Sequence, residues 1–191
     1  MKIKKYSFSQ GENKIMRKTG LIQIYTGEGK GKTTAAMGLA LRAYAQGLCV
    51  MYISFHKDPK FYYGGEQKIL KKLGIFVKCF AKSHPFCSVK NKTKASRYEC
   101  LKAIQYIRKI FKKNKVNLLI LDELNITVRD GFLKEDEVLH LLNEKPEGLE
   151  LVLTGRGATK KMIRQADLVS HIKEIKHPFK KGIKARRGIE F

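Results

Sequence analysis

Residues 26–36 read TGEGKGKTTAA, directly after a short apolar run at 21–25 and directly before a stretch of helical period. No other segment restricts the fold as strongly. A strand, a glycine-rich turn and a helix in that order aim backbone N–H groups inward, with the positive end of the helix dipole behind them, which makes a binding site for phosphate oxygens. Gly27, Gly29 and Gly31 let the backbone come close to a ligand, Lys30 and Lys32 add positive charge, and the Thr33 hydroxyl suits a Mg²⁺ ligand. The Gly31-Lys32-Thr33 core fits the phosphate-loop pattern, with Thr26 where that pattern has its first glycine. Such a loop needs a sheet whose strand ends present it, and therefore an α/β fold.

The rest of the chain supplies that sheet. Short apolar runs at 21–25, 49–55, 75–80, 117–122, 149–154 and 168–175 alternate with helical stretches at about 33–45, 66–73, 93–113, 135–143 and 158–165. The expected architecture is P-loop NTPase-like, of the RecA-like kind: a mostly parallel six-stranded sheet with helices on both faces. Residues 21–191 form one domain, and residues 1–20 a basic N-terminal extension. In the third helix Tyr98, Leu101, Ile104, Ile107 and Ile110 make an apolar stripe, with lysines elsewhere around it. The fourth strand, NLLILDE, ends in Asp122 and Glu123, which are either solvated acids or oxygen ligands binding Mg²⁺ directly or through water beside the loop. The fifth ends in TGRG at 154–157, where Arg156 is either a turn arginine or a contact for phosphate or a substrate carboxylate.

Several classes fall away. With 43% hydrophobic residues and four prolines the chain is neither disordered nor collagen-like, and no apolar run approaches the roughly 18 residues of a membrane span. Residues 1–20 hold no signal-peptide-like apolar stretch, so a cytoplasmic location is expected. The four cysteines show no CxxC pair and are read as free thiols; Cys79, His84 and Cys87 fit no usual zinc spacing. His56, just after the second strand, reads as a surface histidine, or as one facing the site. The net charge of +23 is spread over three stretches, the largest being residues 56–115 with 17 basic residues against 3 acidic. Solvated lysine faces on helices account for it in the ordinary way, and a polyanion partner is the alternative. Nothing resembles a Ser-His-Asp or Cys-His arrangement, which suits chemistry driven by positioning and electrostatics.

Taken together, the loop with Arg42 in the helix behind it, ILDEL at 120–124, TGRG at 154–157, ADLVS at 166–170 and the closing block KHPFKKGIKARRGIEF resemble the ATP:corrinoid adenosyltransferase family over residues 20–191. The family's loop has the same compressed form as this one. The resemblance implies that ATP lies across the loop in the reverse sense to kinases, bound by Gly27, Glu28, Gly29, Lys30, Gly31, Lys32, Thr33 and Thr34, with Arg42 at a nucleotide-binding position. Mg²⁺ would be held by Thr33 and Glu123 with Asp122 nearby, and Lys30, Lys32 and Glu123 would be the catalytic residues. The implied reaction is attack of Co(I) in cobalamin or a corrinoid precursor such as cobyrinic acid a,c-diamide on C5′ of ATP, expelling triphosphate. His84, Phe86 and Arg156 would lie near the corrinoid; where the family often carries an aromatic pair, gapless counting from Gly74 gives His84 and Phe86. The family further implies a homodimer whose N-terminal segment acts as a lid over the partner's site, although residues 1–20 match that segment poorly, and a flavoprotein reductant is the partner the basic middle would suit. The rival readings are a P-loop ATPase that binds nucleic acid, predicting ADP and phosphate, and a nucleotide-binding regulator that turns over nothing.

Overall fold

The computed structural model of the chain describes residues 19–57, 65–80 and 94–189. In chain order these form β1 (Ile22–Thr26), α1 (Lys32–Ala45), β2 (Val50–Phe55), α2 (Gly65–Lys72), β3 (Phe76–Phe80), α3 (Lys94–Lys113), β4 (Leu118–Asp122), α4 (Leu124–Arg129), α5 (Glu135–Asn143), β5 (Glu150–Thr154), α6 (Lys160–Gln165) and β6 (Leu168–His171). A 3₁₀ turn at Pro178–Lys181 lies in the closing block.

The six strands form one sheet in the order β3-β2-β4-β5-β1-β6, and every pairing is parallel. This is the α/β, P-loop NTPase-like architecture that the sequence pattern predicts, with no antiparallel strand among the described residues. The central strands β4 and β5 are buried along their whole length, as near-continuous Leu/Ile/Val runs must be when helices cover both faces. Their side chains alternate strictly. Leu119, Leu121, Leu151 and Leu153 pack with Ile104 and Ile107 of α3, whereas Leu118, Ile120 and Val152 pack with Ala36 and Ala40 of α1. The small side chains of those two alanines leave room for α1 to lie close on the sheet.

Because all strands run the same way, their carboxyl ends share one edge, where ligands of open α/β sheets bind. β5 lies between β1 and β4, so Thr154 stands between the loop after β1 and Asp122 at the end of β4.

Three local expectations change. The sixth strand ends at His171 instead of residue 175: Ile172 still donates to the Thr26 carbonyl, but its own carbonyl accepts from Gly29 N–H, so the chain leaves the ladder to run against the loop. The helix expected from 158 starts at Lys160, because the Thr159 side chain accepts from Met162 N–H and caps it. α4 is absent from the pattern reading. Its segment, LNITVR, is rich in residues that favour strands, and Glu123 in the left-handed region (φ 64°) turns the chain sharply into a buried helical turn.

Candidate active site

The site is built on the turn between β1 and α1. Gly27 has a φ of 100°, and a Cβ there would stand 2.4 Å from the Ile172 carbonyl oxygen, so only glycine lets the loop and the segment after β6 lie together. Lys32 folds back across the loop, its Nζ donating to the carbonyls of Gly27 (2.7 Å) and Gly29 (2.6 Å). Burial lowers the Lys32 pKa below its ordinary value, and the charge of Arg156 lowers it further, against the pull of Glu123 and Glu28. Such a lysine gains from an arriving anion. Gly31 caps α1 without a side chain, and the first turn carries no acid, so the helix N-terminus keeps its positive field for a ligand.

Beside the loop stands Asp122, fully buried. Its Oδ1 accepts from Thr154 Oγ1 (2.6 Å) and Thr33 Oγ1 (2.9 Å), and its Oδ2 from Tyr52 OH (2.6 Å) and Lys57 Nζ (2.6 Å). Burial opposes the Asp122 carboxylate, but the charge of Lys57 and hydrogen bonds from Lys57, Thr154 and Tyr52 outweigh it and hold the pKa below the usual value. The same burial, with the negative charge of Asp122, pushes the Tyr52 phenol well up.

Glu123 behaves differently. Its pKa is raised by burial and by the Asp122 charge, which Lys57 and Lys32 only partly offset. Its Oε1 lies 3.5 Å from Lys57 Nζ, while its Oε2 is buried without a hydrogen-bond partner among the described residues. Asn125 Oδ1 is a second buried acceptor left over, although its Nδ2 donates to the Gly155 carbonyl (3.0 Å). A Cβ at Gly155 would lie 3.2 Å from Glu123 Oε2, so glycine keeps open the space beside that carboxylate. The Glu123 carboxylate and the Thr33 hydroxyl both lie within reach of Lys57 Nζ (3.5 and 3.1 Å), and oxygen donors of these kinds suit a hard divalent cation.

Comparison with known proteins then decides the family. The family model described as ATP:corrinoid adenosyltransferase BtuR/CobO/CobP matches residues 18–191. The chain belongs to the ATP:corrinoid adenosyltransferase family. It is thus a corrinoid adenosyltransferase, with ATP and a corrinoid as substrates. It is 32% identical to the corrinoid adenosyltransferase of Escherichia coli K12 over 172 residues, which is 90% of this chain and 86% of that one. It is 33% identical to the corrinoid adenosyltransferase CobA of Salmonella typhimurium LT2, covering 90% and 86%, and 34% identical to a corrinoid adenosyltransferase of a Sinorhizobium species, covering 90% and 80%.

Against the family's expected site, the structure gathers Gly27, Lys32, Thr33, Asp122 and Glu123 at one sheet edge. Lys30 lies at its rim, its Nζ donating to the Ile189 carbonyl (2.8 Å) in the closing block, and Arg156 pairs with Glu28 (3.3 Å) above the loop. Arg42 is not brought to the loop of its own chain. It is exposed in the last turn of α1, ten residues beyond Lys32, about 15 Å along the helix at 1.5 Å per residue. His84, Phe86 and Cys87 lie outside the described residues. His56 is not a surface residue: it is 1% exposed, in the left-handed region, with its ring 4.8 Å from Phe132. Cys49 and Cys100 are free thiols, and no cluster of three or more His, Cys, Asp or Glu side chains that could hold a metal ion occurs among the described residues. No described helix is long and apolar enough to cross a membrane.

Sequence reasoning missed Lys57, Tyr52 and Asn125, and gave Thr154 no role. For Lys57 there was a usable signal: it lies two residues past a parallel strand, hence at the ligand-binding edge.

Proposed function

We propose that the loop and the Asp122–Glu123 pair hold Mg²⁺·ATP so that Co(I) of a corrinoid attacks C5′ of the ribose. The Co–C bond forms with both electrons of Co(I), so that cobalt is formally Co(III), and the C5′–O bond breaks, its own bonding pair leaving with inorganic triphosphate. The observation that carries this reading is the buried Glu123 Oε2, left without a hydrogen-bond partner among the described residues, next in the chain to Asp122, which accepts from Thr33 of the phosphate loop. When bound, Mg²⁺ supplies charge neutralisation on the departing triphosphate.

The chain's own residues do the rest. Lys32 exchanges two carbonyls for phosphate oxygens, and Lys30 adds a second cation at the rim; both stabilise charge that grows on the leaving group. Thr33, Glu123 and Asp122 hold the metal. Glu28, Gly29, Gly31 and Thr34 complete the triphosphate cradle. Co(I) has no proton to lose, and Asp122, engaged by four donors, serves as an anchor and not as a base. Arg156, His84 and Phe86 face the corrinoid in this reading, and Arg42 is assigned to the nucleotide although it stands away from the loop of its own chain. Cobalamin and cobyrinic acid a,c-diamide are the substrates we assign, in the cytoplasm, with a flavoprotein as reductant of Co(II). The active form is a homodimer with residues 1–20 as lid over a single domain of residues 21–191.

Anaerobic incubation with chemically reduced cob(I)alamin, Mg²⁺ and ATP tests the reaction. A light-sensitive alkylcobalamin spectrum with stoichiometric triphosphate is expected; ADP and phosphate with an unchanged corrin spectrum would overturn it. Phe86→Ala is expected to spare ATP binding and to slow turnover from Co(II); unchanged Co(II) turnover would remove Phe86 from the corrinoid site.

A further inference from the structure

The ammonium of Lys57 sits among the three side chains assigned to the metal. Its Nζ is 2.6 Å from Asp122 Oδ2, 3.1 Å from Thr33 Oγ1 and 3.5 Å from Glu123 Oε1. The Lys57 side chain is only 10% exposed, so these contacts are made inside the protein, where bringing a charge out of water is repaid only by close oppositely charged partners. Two adjacent carboxylates at the end of β4 repel one another, and the lysine offsets part of that repulsion.

A monovalent cation on a stem and a divalent ion cannot both take the same oxygens. Thr33 Oγ1 has two lone pairs but one hydroxyl proton, which it gives to Asp122, and a lone pair facing Lys57 is the one a metal would need. From this geometry we infer that Lys57 is a built-in substitute for the divalent cation: it holds Thr33, Asp122 and Glu123 assembled in the nucleotide-free protein and withdraws when Mg²⁺·ATP enters. The inference rests on the assignment of those three residues to the metal. Lys57 is a positioning residue in this account. It keeps the carboxylates from taking up a divalent ion without its nucleotide, because the ion alone must displace the lysine while Mg²⁺·ATP also brings phosphates that bind Lys32 and the loop. The chain continues from Lys57 into residues 58–64, outside the described residues, and His56 before it has a φ of 59°, so the lysine extends from a turn and not from the ladder.

The test uses Mn²⁺ as the probe, followed by electron paramagnetic resonance on the full-length protein with and without ATP, in wild type, Lys57→Met, Lys57→Arg and Glu123→Gln. Lys57→Met is expected to bind Mn²⁺ without nucleotide at least about tenfold more tightly than wild type, since a like charge within a few ångströms opposes a dication by more than that at an effective dielectric of roughly 20. Lys57→Arg, which keeps the charge, is expected to bind it weakly, like wild type. A lysine with only a structural role would show the opposite trend, with the methionine variant binding Mn²⁺ less well. Equal or weaker Mn²⁺ binding by Lys57→Met, while Glu123→Gln loses Mn²⁺·ATP, would overturn the substitute-cation role and leave the metal site standing. Mn²⁺·ATP binding by Glu123→Gln as tight as by wild type would refute the metal site and the inference with it. Where Lys57→Met does not fold, wild-type protein with ¹³Cε-labelled lysine decides: the Lys57 resonance, identified by its loss in Lys57→Arg, is expected to shift when Mg²⁺ and ATP are added together. A resonance unmoved by saturating Mg²⁺·ATP would overturn the inference.

Discussion

Replacing Thr154 by valine removes one hydroxyl and keeps the shape of the side chain. That hydroxyl donates to Asp122 Oδ1 at 2.6 Å and accepts from Glu123 N–H at 3.0 Å, at a position with no solvent exposure. A hydrogen bond to a charged group contributes about 1.5–3 kcal/mol, and a buried N–H left without a partner costs about 1–3 kcal/mol. The two belong to one network and do not add fully, and Thr33 still donates to the same carboxylate oxygen, so the expected loss is about 3 kcal/mol. Urea unfolding at neutral pH without nucleotide measures it as a lower midpoint with an unchanged slope. Thr154→Ser, which keeps the hydroxyl and loses one methyl, is expected to cost only about 1 kcal/mol. The pH dependence gives a second signature. The Asp122 pKa lies below 3.8 in the folded protein, so its contribution is present above the unfolded value and lost as pH falls through the folded one. The gap between wild type and Thr154→Val therefore narrows on acidification, as the carboxylate that valued the hydroxyl takes up a proton. A difference below about 0.5 kcal/mol at neutral pH, the scatter of ordinary surface substitutions, would refute the reasoning.

Lys32→Ala is expected to lower adenosyl transfer by about 10²–10³-fold, the loss typical of one preorganised donor at a developing charge, with circular dichroism unchanged; a wild-type rate would remove Lys32 from the mechanism. Because burial lowers the Lys32 pKa below its ordinary 10.5 and bound triphosphate restores the charge, ATP affinity is full below the lowered value and declines as pH rises through it. Binding on the alkaline side is expected to take up protons, seen as a binding enthalpy that varies with the ionisation enthalpy of the buffer; invariance between two buffers would contradict this. Gly27→Ala forces a Cβ to 2.4 Å from the Ile172 carbonyl in a backbone conformation costing an L-residue about 1–2 kcal/mol, so loss of both stability and ATP binding is expected in thermal-shift and binding measurements.

The sheet and its ligand edge were legible because their signals are local. Buried parallel strands write themselves as runs such as LLILD and ELVLT, the stripe of Ile104, Ile107 and Ile110 on α3 repeats at the helical period although Tyr98 is exposed, and the phosphate loop is one uninterrupted segment whose glycines act on their own backbone. By themselves these residues determined an α/β fold, a phosphate site at the start of α1 and a pair of acids at the end of β4. The tertiary structure alone decided how that pair is used. Asp122 is held by side chains 89, 70, 65 and 32 residues away in sequence, from Thr33, Tyr52, Lys57 and Thr154. Tyr52 reads as one more apolar strand residue until the sheet aims its hydroxyl at a carboxylate, and Lys57 is one more lysine in a basic stretch until the strand order places β2 beside β4. Periodicity reports which face a residue takes, because that depends on its chain neighbours. Which charge meets which depends on strand order and register, set by the packing of the whole sheet, and so two identical-looking acids at one strand end became a fully bonded anchor and a carboxylate with an oxygen to spare.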